Sequence, residues 1–485
     1  MDRITLPLVE RLHQYAQAKP VRLHVPGHKG YLSEHAHPYT AYFQSLLPID
    51  VTELAGLDDL HAPESVIKEA QELAARCFQA ERTYFLINGT TVGNLAMVLA
   101  TLEPGDYVFV QRNSHKSIFH ALALARARAV FLEPELCPLF GVPIGLTVEA
   151  VQKGLKEYPQ AKAIILTYPN YYGMAMSLGE IISLAHQHNL VVLVDEAHGA
   201  HFGQHPGLPP SAMQWGADVS VQSTHKMLGS LPQSSMLLIQ GSRVAREELE
   251  YFLSCLQSSS PSYPLMASLD LARYLLERLE PATWEKSLQA YRHLREEIEH
   301  LGAYTLSGEG PVEGSPWPVS QDPFKLIIQP KGNLSGYQLQ EELAALGIYT
   351  ELADPFNVLC TLPLVANEQW NTLLLQALSK LVHKHIVNGE KQRKKKSKPY
   401  SQKKLSCVSM EMIREKDKER LPLEKAVGRQ AAEMIIPYPP GIPVLFPGEI
   451  ISQEIVSYIQ ELHRLGATFQ GKGKAPLSHI LVKKE

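Results

Sequence analysis

Two short strand-like runs, each followed directly by polar and charged residues, constrain the fold of this chain more than any other feature. The apolar run Leu190–Val194 leads into Asp195, and the run Asp218–Val221 leads into a polar turn that ends on Lys226. Runs of this length, rich in β-branched residues, predict buried strands. Ligands of open α/β sheets bind at the carboxyl ends of the strands, so we expect Asp195 and Lys226 to meet at one sheet edge.

Lys226 is poorly explained as a surface charge, because it follows a buried strand and has Ser223 and His225 beside it. Removal from water lowers the pKa of an amine and suits it to form a Schiff base with an aldehyde. An acid opposite such a lysine, here Asp195, is what pyridoxal phosphate needs as the partner of its ring nitrogen. The alternatives are a solvated loop lysine at Lys226 and a helix N-cap at Asp195.

Length and composition describe an ordinary globular chain of two to four domains. The 485 residues are 45% hydrophobic and 20% charged, and the formal net charge of −4 gives no global field for nucleic acid or membrane. No apolar run approaches the length of a membrane span, and the N-terminus lacks a signal-peptide pattern. The five cysteines are scattered without CxxC spacing, which indicates reduced thiols in a cytoplasm and argues against a zinc site.

Further strand-like runs alternate with helical stretches along the first half of the chain. They are Thr83–Ile87, Tyr107–Val110, Ala163–Thr167 and Ser234–Ile239. Strands that alternate with helices of this length predict an α/β fold with a doubly wound, mostly parallel sheet. Leu326–Ile328 and Val358–Leu362, with helices around them, predict a second, smaller α+β domain.

Two polar segments follow the predicted strands and are candidates for cofactor binding. Asn88–Asn94 is a predicted turn into a helix, where backbone N–H groups and the hydroxyls of Thr90 and Thr91 could contact a phosphate. His115 follows another strand and could lie flat on a cofactor ring, the alternative being a helix-capping or surface histidine.

Two helix starts are also predicted, and both depend on turn-forming residues. Asp58–Pro63 is expected to open a helix that continues to Cys77, and Pro447–Glu449 is expected to start a helix with Ile451 and Ile455 on its apolar face.

A basic block at residues 391–404 separates the first two domains from a third. It contains eight lysines and arginines and no acid, which is typical of a solvated linker. An RNA-binding patch is the alternative, but Tyr400 alone supplies aromatic character. The predicted domains are an N-terminal helical arm (1–20), a cofactor-binding large domain (21–275), a small α+β domain (276–390), a basic linker (391–407) and a C-terminal domain (408–485).

The motifs of the chain resemble those of one known family. The run Ser223-x-His225-Lys226, followed by Gly229 and Gln233-Ser234-Ser235, resembles the cofactor-lysine signature of the bacterial ornithine/lysine/arginine decarboxylases, which are fold-type-I pyridoxal-phosphate enzymes. Pro232 departs from the small residue usual there. Further similar motifs occur in family order: Gly89-Thr90-Thr91, Asn113 to Ser117, Asp195-x-Ala197-His198 and Tyr438 to Pro443.

The resemblance implies a role for each matching residue. Lys226 would bind pyridoxal phosphate covalently, Asp195 would pair with its ring nitrogen, and His198 would lie near the reacting carbon. The remaining implied contacts are Ala197 under the ring, His115 stacked on it, Thr90, Thr91, Ser223 and His225 on the phosphate, Ser259 or its neighbours on the phosphate of a dimer partner, and Glu449 on the distal cation of the substrate.

The resemblance also implies the reaction, the oligomeric state and the partners of the protein. The motifs begin at residue 22, so the chain resembles the short form without an N-terminal wing domain, common as an arginine decarboxylase of polyamine biosynthesis. We expect a cytoplasmic homodimer or larger homo-oligomer that decarboxylates arginine, or else lysine or ornithine, with no membrane or nucleic-acid partner. The alternatives are another fold-type-I activity (an aminotransferase or a β-eliminating lyase) and a catalytically idle cofactor-binding regulator.

Overall fold

The structure is a computed structural model that describes most of the chain. The described residues are 5–33, 37–312, 315, 317–332, 334–385, 405–437, 441–472 and 477–485. The predicted linker at 391–404 and the start of the Tyr438 to Pro443 motif lie outside these ranges. Among the described helices, none has both the length and the apolar character needed to cross a membrane.

The α-helices of the described residues begin and end as follows in chain order. They are Pro7–Gln17 (α1), Val66–Cys77 (α2), Gly89–Leu99 (α3), Lys116–Ala125 (α4), Val148–Glu157 (α5), Gly179–Gln187 (α6), Ala212–Trp215 (α7), Thr224–Met227 (α8), Arg246–Leu256 (α9), Tyr263–Glu277 (α10), Pro281–His300 (α11), Gly336–Ala345 (α12), Glu368–His385 (α13) and Gln453–Arg464 (α14). Short 3-10 helices occupy Pro38–Tyr42, Leu47–Ile49, Glu415–Asp417 and Leu423–Ala426.

The strands of the described residues are shorter than most of these α-helices. They are Arg82–Leu86 (β1), Tyr107–Gln111 (β2), Arg128–Leu132 (β3), Ala163–Thr167 (β4), Met174–Met176 (β5), Val191–Asp195 (β6), Val219–Gln222 (β7), Ser235–Ile239 (β8), Tyr304–Leu306 (β9), Gly310–Pro311 (β10), Val319–Gln321 (β11), Lys325–Pro330 (β12), Leu352–Ala353 (β13), Val358–Thr361 (β14), Ser406–Ser409 (β15), Lys418–Pro422 (β16) and His479–Lys483 (β17).

One of the two compact units of the chain carries the motif around Lys226. This first unit comprises Met1–Thr101, Leu193–Gln204 and Pro210–Glu280. Strand β8 lies antiparallel to both β1 and β7, and β7 pairs in parallel with β6. Helix α3 packs on β7, β8 and α9. A Cβ atom at Gly93 would overlap Val221 and Leu86, so glycine permits the close approach of this helix to the strands.

The second unit comprises Leu102–Val192, His205–Pro209 and Pro281–Glu485. Its strand β2 pairs in parallel with β3 and β4, and β15 is added antiparallel to β3. A separate four-stranded antiparallel sheet has the order β13-β14-β12-β9. Near the C-terminus, strands β16 and β17 and the apolar face of α14 contribute to a further hydrophobic core cluster.

The two predicted helix starts are both too early. Helix α2 begins at Val66, because the Asp58 carboxylate lies ahead of it and accepts hydrogen bonds from the backbone N–H groups of Ser65 and Ile67, at 2.8 and 3.0 Å. Glu449 lies in the turn before α14, which begins at Gln453. Gly448 has a φ of +94°, which is incompatible with a helix, and Ser452 caps the helix instead.

Two predicted turns are partly helical. Lys226 lies inside the single-turn helix α8 rather than at the end of an open turn. In the Asn88–Asn94 segment, only Asn88 precedes helix α3, which starts at Gly89. Gly89 has a φ of +75°, a backbone conformation that glycine adopts without strain, and this lets the chain turn directly from strand to helix.

The predicted α/β class is confirmed: short strands alternate with helices in both units, and the described pairings are a mixture of parallel and antiparallel. The antiparallel sheet β13-β14-β12-β9 with helices α12 and α13 provides the smaller α+β region. The predicted domain boundaries remain a prediction.

Candidate active site

Lys226 and His198 form a hydrogen-bonded pair in the first unit. The Nζ atom of Lys226 lies 3.1 Å from Nε2 of His198. The backbone N–H of Lys226 donates to the carbonyl of Ser223, which closes the turn that carries the lysine. His198 is buried and Lys226 is half-buried. The structure therefore gives the predicted lysine a base within hydrogen-bonding distance.

Asp195 ends strand β6 and is buried, with a donor on each carboxylate oxygen. Asn94 Nδ2 donates to Oδ2 at 2.9 Å, and the backbone N–H of Ala197 donates to Oδ1 at 3.2 Å. Burial raises the pKa of this carboxyl group, while the nearby charge of Lys226 and the two hydrogen bonds oppose the rise. Asp195 is thus a desolvated acid whose ionised form depends on a lysine and two polar neighbours.

A group of hydroxyls lies where the phosphate contacts are predicted. The hydroxyl of Thr90, in the first turn of α3, hydrogen-bonds to that of Ser223 and lies 3.1 Å from that of Ser235. His225 is held by its Nδ1 atom, which lies 2.8 Å from the carbonyl oxygen of Ser234. Because that oxygen only accepts, Nδ1 carries the proton. These side chains and the N-terminus of a helix are suited to binding an anion.

The two other predicted phosphate contacts differ from this group in their exposure. Thr91 and Ser259 are both exposed. Ser259 follows helix α9 in a stretch of three serines, where Ser258 accepts a hydrogen bond at its carbonyl from His61. The structure describes one chain, so their predicted contacts stay predictions.

Glu196, next to Asp195, was not predicted as part of the site. It is fully buried and accepts three hydrogen bonds, from the backbone N–H of Ala212 (2.7 Å), the hydroxyl of Ser220 (2.6 Å) and the side-chain amide of Gln222 (2.9 Å). Burial raises the pKa of this carboxyl group to about 7, against the effect of the three donors. Glu196, the residue directly after Asp195, is therefore bonded to strand β7, which precedes Lys226.

His115 and Glu449 belong to the second unit. His115 is the N-cap of helix α4, and its Nδ1 atom accepts from the backbone N–H of Ser117, the helix-capping geometry that was the alternative to ring stacking. The stacking role stays a prediction.

Glu449 is 6% exposed, and its carboxylate is paired with the guanidinium of Arg112 at 3.1 Å. Arg112 also donates to the carbonyls of Pro443 and Val444 and lies over the ring of Phe446. Burial raises the pKa of Glu449, and Arg112 opposes the rise. The structure gives Glu449 a cation from its own chain, so its predicted role towards a substrate cation stays a prediction.

The residues of the first unit fit pyridoxal phosphate. The cofactor requires an amine for covalent attachment, an acid for its ring nitrogen and donors for its phosphate. Lys226, the buried carboxylate of Asp195 and the hydroxyls of Thr90, Ser223 and Ser235 supply these three chemistries. Burial disfavours the ionised form of Asp195, and a nearby positive charge such as that of Lys226 favours it. A protonated ring nitrogen beside this carboxylate would favour the ionised form in the same way.

Asn94 was also missed as a site residue. It lies on the second turn of α3, and only the packing of this helix on the strands brings it to Asp195. The spacing of Asn94 from Thr90 along a helix is a signal that could have found it, since residues four apart share a helix face. Ser235 lies in a motif quoted from the sequence, yet its approach to Thr90 depends on the antiparallel pairing of β8.

The chain matches two family patterns, which together span most of its length. Residues 6–308 match "Orn/Lys/Arg decarboxylase, major domain" and residues 390–474 match "Orn/Lys/Arg decarboxylase, C-terminal domain".

Similar proteins agree with these matches. An arginine decarboxylase of Halalkalibacterium halodurans is 38% identical and covers 99% of this chain and 98% of its own length. An arginine decarboxylase of Bacillus subtilis is 36% identical, with coverage of 100% and 99%. The solved structure of the Escherichia coli constitutive lysine decarboxylase has the same fold, with a TM-score of 0.78 at 21% identity over 100% of this chain and 82% of that one. This chain belongs to the Orn/Lys/Arg decarboxylase family.

Proposed function

We propose that this protein removes the carboxyl group of arginine and releases CO2 and the corresponding amine, with pyridoxal phosphate as cofactor. The contact between Lys226 and His198 beside the buried Asp195 carries the proposal, because it combines a reactive amine, a base and a ring partner. Arginine is preferred over lysine and ornithine because the two relatives named arginine decarboxylase resemble the chain over nearly all of both sequences.

In this proposal each predicted site residue of the first unit has a role. Lys226 attaches the cofactor, Asp195 holds a proton at the ring nitrogen, and Ala197 packs against the ring. Thr90, Ser223 and His225 bind the phosphate, together with Thr91 and Ser235. The bound cofactor supplies an electron sink for the pair of electrons left when CO2 departs.

The proton needed at Cα comes from the pair formed by Lys226 and His198. A hydrogen bond of 3.1 Å between two nitrogen bases lets one proton pass between them. Whichever group delivers the proton, the other can replace it. Because His198 is buried, this exchange is screened from bulk water, which would otherwise compete for the proton.

The rival activities predict different products. An aminotransferase keeps the substrate carboxylate and yields an oxo acid, whereas a decarboxylase releases that carboxylate as CO2. The match of residues 390–474 to the C-terminal domain of the decarboxylase family favours the decarboxylase. A cofactor-binding regulator would turn over no substrate.

One assay separates these functions. The purified protein with pyridoxal phosphate is incubated with arginine, lysine or ornithine, and CO2 and the amine are identified. We expect agmatine from arginine at a kcat/KM at least roughly tenfold above that for the other two, a difference of about 1.4 kcal/mol in transition-state binding. Formation of an oxo acid without CO2 would contradict the proposal, and the Lys226→Ala variant provides the blank.

We further propose a cytoplasmic homodimer that serves polyamine biosynthesis. Five cysteines without a disulfide are typical of a reducing compartment, and a decarboxylated basic amino acid is a polyamine precursor. The exposed Ser259 is the residue that would reach the phosphate of the partner subunit. Mixing Lys226→Ala and Ser259→Ala variants should restore activity above either alone if subunits exchange, since one hybrid site is then intact. Light scattering gives the mass of the assembly.

A further inference from the structure

Glu196 is a buried carboxyl group of the first unit that has no role in the reaction described above. It lies between Asp195, the proposed partner of the ring nitrogen, and Ala197, which is proposed to pack against the ring. Its Oε1 atom accepts a hydrogen bond from the backbone N–H of Ala212, the first residue of α7, at 2.7 Å. Removing a carboxyl group from water is costly, so a buried one needs several such bonds to stay in place.

Three further hydrogen bonds join residue 196 to strand β7. The backbone N–H of Glu196 donates to the carbonyl of Val221 at 3.0 Å. Its Oε2 atom accepts from the hydroxyl of Ser220 at 2.6 Å and from the amide Nε2 of Gln222 at 2.9 Å. Asp195 itself pairs with Val221 in the parallel ladder of β6 and β7. The carboxyl ends of the two strands are therefore bonded to each other by side chains as well as by the backbone.

The two faces of β7 are held by different elements. Side chains alternate along a strand, so Val221 points away from the face that Glu196 contacts. On the side of Val221, Gly93 permits the close approach of helix α3, whose Asn94 donates to Asp195 at 2.9 Å. Strand β7 thus lies between α3 on one face and Glu196 on the other.

The carboxyl end of β7 leads directly to the other proposed cofactor contacts. Gln222 is followed by Ser223, whose hydroxyl bonds to that of Thr90, and then by helix α8, which contains Lys226. The ring nitrogen, the aldehyde carbon and the phosphate of pyridoxal phosphate belong to one small molecule. Asp195, Lys226 and Ser223 must therefore be held at matching distances from one another.

The side-chain amide of Gln222 serves the bond to Glu196. Its Oε1 atom is buried and, within the part of the chain that the structure describes, has no hydrogen-bond partner, which is costly. Rotation of the amide exchanges its oxygen and its nitrogen. Gln222 can therefore donate to ionised Glu196 or accept from the protonated acid. Burial raises the pKa of Glu196 to about 7, and the bond persists on both sides of this value.

We propose that Glu196 is a positioning residue for pyridoxal phosphate: by bonding the carboxyl end of β6 to that of β7, it sets the spacing between Asp195 and the turn from Ser223 to Lys226. Glu196 acts through Asp195 and Gln222 rather than by contact with the cofactor. The inference rests on the proposed function for the roles of Asp195, Ser223 and Lys226 towards the cofactor.

The test compares cofactor binding by full-length variants in the absence of substrate. Glu196→Met keeps the length of the side chain and removes both oxygens. Asp218→Leu is the matched control, because it removes a buried carboxyl group directly before β7, at the other end of the same strand. Titration with pyridoxal phosphate, followed by absorbance, gives the Kd, and circular dichroism compares the folding of the variants with that of the native protein.

We expect the Kd for the cofactor to rise by about tenfold in Glu196→Met and to stay within about twofold of the native value in Asp218→Leu, although both variants lose stability. In Glu196→Met, kcat should fall by roughly tenfold to a hundredfold at an unchanged KM for arginine, because misplaced groups slow the chemistry without altering substrate contacts. An unchanged Kd in Glu196→Met overturns the proposal, as does an equal rise of the Kd in both variants.

Glu196→Gln tests whether hydrogen bonding, rather than charge, sets the spacing. The amide oxygen can accept from Ala212, and the amide nitrogen can donate to the rotated amide of Gln222, as the neutral acid does. The Kd of this variant should therefore stay close to the native value. A Kd as weak as that of Glu196→Met overturns the proposal, since the charge of Glu196 would then be what the cofactor requires.

Gln222→Met provides a second variant in case Glu196→Met does not fold. It removes one bond between the strand ends and leaves Glu196 with its other donors, so the Kd should rise by about threefold or more. An unchanged Kd in Gln222→Met overturns the proposal. A protein whose cofactor binding follows these expectations but that releases no CO2 from any basic amino acid fails the proposed function alone.

Discussion

Asp195 in the first unit and Glu449 in the second are both buried carboxylates that interact with a basic side chain, but their surroundings differ. Glu449 is held directly by Arg112, at 3.1 Å with further bonds from the guanidinium to backbone carbonyls. Asp195 instead accepts hydrogen bonds from Asn94 and the backbone, while Lys226 acts on it through its charge and hydrogen-bonds to His198.

This difference separates a structural charge pair from a reactive one. Arginine stays protonated and its planar donors match a carboxylate, so the pair with Glu449 has little capacity for proton chemistry. A lysine whose amine is bonded to a histidine can exchange protons, and a carboxylate with neutral donors remains available to another positive group. The comparison predicts that variants of Asp195 and Lys226 alter turnover and that variants of Arg112 and Glu449 alter stability.

The largest effect is expected from Lys226→Ala. Removing the amine deletes both the covalent attachment and one member of the proton-exchanging pair, so kcat should fall by at least roughly a thousandfold. Borohydride reduction of the native protein with cofactor, followed by peptide mapping, should place the label on Lys226. The exposed Lys286 provides a matched control, since Lys286→Ala should keep full activity. Label on another lysine would show that the cofactor lysine is wrongly assigned.

The next effect concerns the Arg112–Glu449 pair. Arg112→Met leaves the carboxylate buried without its cation, which should cost about 3–5 kcal/mol of unfolding free energy. The double variant Arg112→Met/Glu449→Leu should recover part of this loss, because the buried charge is gone while the carbonyls of Pro443 and Val444 still lack their donor. Thermal denaturation at several protein concentrations measures the loss in the single variant and the recovery in the double variant.

Glu449→Gln tests the earlier idea that this residue recognises the substrate. We expect a loss of stability with a near-normal KM for arginine. A large rise in KM at unchanged stability would instead assign Glu449 to the substrate and would break the comparison.

The positions of Asp195 and Lys226 could be predicted from sequence because Asp195 ends a buried strand and Lys226 closely follows another. Contacts between elements far apart in the chain could not. The bond from Asn94 to Asp195 joins residues 101 positions apart, and Arg112 lies 337 positions from Glu449. Local patterns carry no signal for such pairs. The helix starts were predicted too early for a different, local reason: the side chain of Asp58 and the cap at Ser452 set the boundaries.

Asp195→Asn removes the charge of the predicted ring partner while keeping its shape. The proton at the ring nitrogen is retained near neutral pH only if a negative charge lies beside it. We expect kcat to fall by on the order of a hundredfold, about 3 kcal/mol of barrier, with a much smaller loss of cofactor affinity because the hydroxyls of Thr90 and Ser223 are untouched. Steady-state kinetics measures the loss of kcat, and cofactor titration measures the loss of cofactor affinity.

Asp218→Asn is the matched control for this variant, since Asp218 is a buried carboxylate directly before β7. Its kcat should stay within a few-fold of the native value. A near-normal kcat in Asp195→Asn would mean that Asp195 serves only as a structural acceptor and that another group holds the ring nitrogen.

The smallest effect is expected from Glu196, a third buried carboxyl group, whose three hydrogen-bond donors are all neutral. Its pKa rises from 4.5 to about 7 on folding, so between these values the folded state holds a proton that the unfolded state has lost. Unfolding then releases a proton, and the stability contributed by this group falls as pH rises. From pH 5.5 to 7 the loss is about 1.6 kcal/mol, because the slope of 1.36 kcal/mol per pH unit falls to about half as the pH reaches the folded pKa. Glu196→Gln carries no such proton and keeps every other titrating group, so the stability advantage of the native protein over the variant should shrink by this amount across that range. Denaturant midpoints of both proteins at pH 5.5, 6.25 and 7 measure the change. A pH-independent difference would mean that three neutral donors suffice to keep this buried carboxylate ionised without a nearby cation.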